Sequence, residues 1–152
     1  MRTPRIIEGI LRLPTKRRLD KVDRHSPPEE QVYHSNKVLG IAGDKGLGMH
    51  LPLAAERLHP QLDTIAQRNL CNAILLEVRS NPENMRENFH YILGRLNRNL
   101  DTLAEISLVN AFREYKNRRG LSESEENAIL TTIDKPGVKP EIKKRLKLLL
   151  GE

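Results

Sequence analysis

Apolar residues recur at helical spacing from Pro52 onward. Leu62, Ile65, Ala66, Leu70, Ala73, Ile74, Leu76 and Val78 form a stripe too wide for a surface helix, which predicts a central one. Pro60 would break a helix running through from Leu53, so the spacing places it in the first turn of a new helix near His59. The next segment opens with Asn81 as an N-cap, Pro82 at the first helical position and Glu83 at the positive end of the dipole. Met85, Phe89, Ile92, Leu96, Leu100 and Leu103 follow at spacings of three and four. Asn97 and Asn99 are weak helix formers, and beyond them the apolar set shifts to Ala104, Leu108, Ala111, Phe112 and Tyr115. Either a break or one long helix fits that shift.

Later boundaries are clearer. Gly120 follows a basic last turn, and Ser122 with Glu125 makes a capping box. A helix from Glu123 to about Ile133 then ends before Pro136 and Gly137. A last helix runs from Pro140 to Leu150 and buries Ile142, Leu146 and Leu149. The pattern predicts an all-α fold: a bundle of four to six helices over residues 52–152.

Residues 1–51 read differently. Pro4, Pro14, Pro27 and Pro28 interrupt the first part, and Ile6, Ile7, Ile10 and Leu11 share one helical face flanked by Arg5 and Arg12. This segment is expected to be a largely irregular basic arm. Membrane or nucleic-acid contact and an organelle presequence are weaker readings; Glu8 and the lack of Ser near the start count against the last. A short strand fits within residues 31–42, and the four glycines of VLGIAGDKGLGMHLP suggest a flexible connector.

That stretch also raises the question of phosphate binding. A P-loop needs a glycine at 45, where Lys45 stands, or a lysine at 49, where Met49 stands. The dinucleotide pattern fits Gly46 and Gly48 but fails at Leu51. The stretch is therefore read as a connector that orders on a partner.

Composition narrows the classes. The chain has 152 residues, no Trp, two Phe, three Tyr and one Cys, which fits one aliphatic helical domain and excludes an intramolecular disulfide framework. No apolar run of 18 residues spans a membrane, and no ordinary secretory signal is visible, so a cytoplasmic location is expected. The net charge of +6 lies at the two ends: +5 over residues 1–25 and +3 over 116–152. Basic ends attract polyanions. The candidate contacts are Arg12, Lys16, Arg17 and Arg18 in front and Lys139, Lys143, Lys144 and Lys147 behind.

Candidate chemistry is sparse. Cys71 sits in an apolar helix and is expected to act as a small hydrophobe. His25, His34, His50 and His59 are scattered without metal-ligand spacing, and His90 reads as a packing residue. No catalytic residue, cofactor or metal is expected. The leading expectation is a non-enzymatic protein-interaction module of adaptor, regulatory, effector or virion-associated type. Its helical body and its arm, through Ile6, Ile7, Ile10 and Leu11, would bind a protein partner. A nucleic-acid-binding protein using the basic ends comes second. An enzyme with its site at the Gly40–His50 loop comes last. Homo-oligomerisation stays open.

Overall fold

The computed structural model describes residues 14–151. Ile6, Ile7, Ile10, Leu11 and Arg12 therefore lie outside the described residues. Within them the chain is helical throughout and no strand occurs. Eight α-helices follow in order: α1 Thr15–Lys21, α2 Pro28–Asp44, α3 Leu51–Glu56, α4 Thr64–Ser80, α5 Pro82–Leu93, α6 Thr102–Arg119, α7 Glu123–Ile133 and α8 Pro140–Leu149. Short 3₁₀ turns at Gly48–His50 and Gly94–Asn97 precede α3 and follow α5. The all-α expectation holds, with more helices than the four to six expected.

The excess comes from the front of the chain. Residues 28–44 form a 17-residue helix rather than a strand and a loose connector. Pro28 sits in the first turn, Glu29 and Glu30 face the positive dipole end, and Gln31, His34, Ser35, Val38 and Ala42 are buried along one stripe. Gly40 and Gly43 are ordinary helical residues within it. Tertiary packing has overridden their weak helix propensity. Leu19, Val22, Val38 and Ala42 belong to the same buried core as the later helices, so the described residues before Pro52 are built into the body.

The centre of the molecule is α4, which packs against α2 on one side and α6 on the other. Its buried residues include Leu70, Cys71, Ala73, Ile74 and Val78, as its wide apolar stripe predicts. Its start differs from expectation. Pro60 lies in a turn, and Asp63 caps the helix by accepting from the N–H groups of Ile65 at 2.8 Å and Ala66 at 3.3 Å.

The long-helix question resolves as a break. The chain tightens into the Gly94–Asn97 turn, Asn99 takes φ of 56°, and Asp101 caps α6. Leu103, placed on the apolar seam by spacing, is instead 54% exposed because the break rotates the second half. Glu105 is fully buried and accepts the Leu100 N–H at 2.8 Å, pinning the break from inside. The Ser122–Glu125 capping box forms as expected, while Asn81 occupies its N-cap position without a side-chain bond. His90 is exposed, with its ring edge-on to that of Phe89 at 5.9 Å.

Candidate functional site

The glycine-rich turn answers its own question. Helix α2 ends at Asp44, and Gly46 (φ 80°) and Gly48 (φ 56°) turn the backbone. The N–H groups of Leu47 and Gly48 point to the carboxylate of Glu77 at 2.5 and 3.3 Å. Asn84 on α5 adds a bond from its amide to Glu77 Oε1 at 3.2 Å. The turn does cradle an anion, but the anion is a buried side chain of α4. Consecutive backbone N–H groups make such concavities generally. No space remains for a phosphate, because a Cβ at Gly46 would already lie 2.7 Å from Glu77 Oε2.

The remaining enzyme-type candidates do not converge on that turn. Cys71 is fully buried, and burial pushes its thiol well above the ordinary range. It behaves as part of the α4 core. His34 is buried against Arg18 at 3.3 Å, and burial followed by that guanidinium holds its ring below the ordinary histidine range. Among the described residues no group of three His, Cys, Asp or Glu side chains is placed to hold a metal.

The basic candidates divide. Lys16 and Arg17 are exposed on α1, whereas Arg18 is buried and reaches both His34 and the face of Tyr33. Lys139 turns inward to Leu100 O, to Thr102 Oγ1 at 3.2 Å and to Glu105 at 3.6 Å. Lys143, Lys144 and Lys147 stay together around a cleft of about 410 Å³ with Pro140 and the 57% exposed Leu148. Helix α1 packs on α2 and α3, and α8 packs on α6 and α7, so the two basic sets are carried by different parts of the bundle.

An apolar opening of about 670 Å³ lies between the starts of α2 and α4. Pro28, Val32, Tyr33 and Ile65 supply its apolar wall, and Glu29 and Asp63 stand on it as acids. Tyr33 and Ile65 are each about half exposed, at 53% and 52%. Its end is rigid: Gln31 donates to Ser26 O at 2.7 Å and accepts the Asp63 N–H at 2.7 Å, which ties both helix starts together. Asn69 reinforces the seam through Ser35 Oγ at 3.1 Å. Sequence reasoning missed this groove. Its walls come from two helices, Pro28–Asp44 and Thr64–Ser80, and the pattern of the first reads as a strand and connector.

No family model, curated protein or solved structure matches the chain.

Proposed function

We propose that this chain is a non-enzymatic protein-interaction module. The observation that supports the reading is the open groove between α2 and α4. Exposed tyrosine and isoleucine on a rigid, concave wall supply desolvation energy at little ordering cost. The acids Glu29 and Asp63 beside them favour an occupant whose apolar side chains are flanked by Lys or Arg. The partner is thus a protein segment with an apolar–basic pattern. The arm residues Ile6, Ile7, Ile10 and Leu11 are proposed to add a second apolar contact to the same partner.

The test is peptide selection on the immobilised full-length protein, followed by affinity measurement. Selected peptides should carry apolar–basic motifs and lose at least about tenfold in affinity on Ile65→Asp, about 1.4 kcal/mol. Replacing the four arm residues by Ser should weaken binding of a full partner domain further. Peptides that bind wild type and Ile65→Asp equally would refute the groove.

A second reading is supported by Lys143, Lys144 and Lys147, which make no ion pair among the described residues. Three such lysines on one helix face suit phosphates of a nucleic acid, without base readout. Duplex DNA binding whose salt slope falls on Lys143→Gln/Lys144→Gln/Lys147→Gln would favour it. Binding confined to low salt and indifferent to those changes would leave a solvated face.

A further inference from the structure

The groove between α2 and α4 lies beside the start of α1. Arg18 on α1 brings its guanidinium to the Tyr33 ring, 5.9 Å from the centroid, and reaches His34 Nδ1 at 3.3 Å. Tyr33 is a wall of the groove. Pro14 stands one turn before Arg18, its carbonyl accepting the Arg18 N–H at 3.1 Å. One helical turn, about 5.4 Å, and one arginine side chain therefore separate Pro14 from the groove wall. Pro14 itself is extended, at φ −53° and ψ 147°, so the chain turns off the axis of α1 there.

The sequence ahead of Pro14 has the chemistry that the groove asks for. Residues 1–13 lie outside the described residues, and their sequence sets Arg2, Arg5 and Arg12 against the single acid Glu8. Between Arg5 and Arg12 stand Ile6, Ile7, Ile10 and Leu11, which share one face at helical spacing. At that spacing residues 5–12 cover about 12 Å, as do residues 28–36 along the α2 wall. The groove offers Val32, Tyr33 and Ile65 to the apolar set. Of its two acids, Asp63 is engaged in capping α4, while Glu29 makes no ion pair among the described residues. Even at helical rise, thirteen residues span about 20 Å, more than the turn and side chain between Pro14 and Tyr33.

We infer that residues 1–13 dock in the groove of their own chain when no partner is present, with Ile6, Ile7, Ile10 and Leu11 against Tyr33 and Ile65 and an arginine beside Glu29. The inference rests on the groove being the partner site. A partner segment with the same apolar–basic pattern then binds by displacing this one, and displacement frees the arm for its own contact with the partner. Tethering favours the resident, because a short tether holds a segment at an effective concentration of about a millimolar. A segment docked about nine-tenths of the time lowers the apparent affinity of a competing peptide about tenfold.

The experiment is NMR of the nitrogen-15 full-length protein carrying a nitroxide at Thr3→Cys. Cys71 is fully buried and stays unlabelled. The nitroxide should broaden the amides of Val32, Tyr33, Ile65 and Asn69. Ile6→Ser/Ile7→Ser/Ile10→Ser/Leu11→Ser should remove that broadening and tighten a groove-selected peptide about tenfold. A full partner domain forfeits the arm contact as well, so its affinity still falls. The broadening should survive dilution with unenriched, unlabelled copies. Broadening that dilution removes, and that reappears when nitrogen-15 copies meet spin-labelled ones, would give the groove to a second copy and overturn the inference. So would groove amides that stay sharp, or broadening that the four serines leave in place. No partner is present in these spectra, so the two readings fail separately. Sharp groove amides with peptides still sensitive to Ile65→Asp remove only the resident segment, whereas peptides indifferent to Ile65→Asp remove the groove itself.

Discussion

Glu77 shows how much one buried side chain can organise. It is 2% exposed and satisfies two backbone N–H groups that no other described residue reaches. Truncating it leaves the N–H of buried Leu47 unpaired, a penalty of roughly 1–3 kcal/mol for such a group. Glu77→Ala should therefore lower the unfolding free energy by that amount, read as a lower urea midpoint at unchanged m. Gly46→Ala should cost about 1–2 kcal/mol from its left-handed backbone alone, plus whatever the crowding against Glu77 adds. If Gly46→Ala unfolds at the wild-type urea concentration, the clamp is not formed as described. His34 sets a pH dependence. Its folded-state pKa is lowered by burial and then by Arg18, so the unfolded chain binds the extra proton first. Its contribution to stability is full above the unfolded value of about 6.5 and declines as pH falls below it. The urea midpoint of His34→Gln should fall less than that of wild type between about pH 7 and 5.

The start of α7 was legible because local chemistry decides it, whereas the equally local Asp63 cap of α4 was passed over for Pro60. Ser122 and Glu125 form both bonds of the capping box, at 3.1 and 2.9 Å, where spacing placed them. Ser122→Ala should cost about 1 kcal/mol in chemical unfolding; no change would mean that α7 is held by packing alone. The break between α5 and α6 was only half legible. Asparagines marked weakness, but the decision rests on Glu105 holding the Leu100 N–H and Lys139 holding its carbonyl, contacts 5 and 39 residues away in sequence. At the break itself Asn99→Gly should be neutral or slightly stabilising. Asn99→Val should lose roughly 1–2 kcal/mol, because a β-branched residue resists positive φ.

At the scale of the whole molecule, the misread part was α2. Its apolar positions are interleaved with Gln31, His34 and Ser35, which are buried through bonds to Ser26, Arg18 and Asn69. A polar residue that is buried by a distant partner looks, in sequence, like a surface residue. The groove became invisible for the same reason, since it exists only once α2 lies along α4. Cys71 and the core of α4 were legible because hydrophobic burial needs no particular partner.

The clamp on the turn after α2 also decides how the chain meets proteases. Lys45–Gly46 is a trypsin-type bond, and Lys45 is exposed, so the glycine-rich stretch looks like a nicking site. A protease must draw out an extended segment, and here the next two amides are held by a carboxylate on α4. Limited digestion should leave this bond intact until α2 and α4 part. In Glu77→Ala the same bond should become an early cut that divides the chain into two fragments of unequal size.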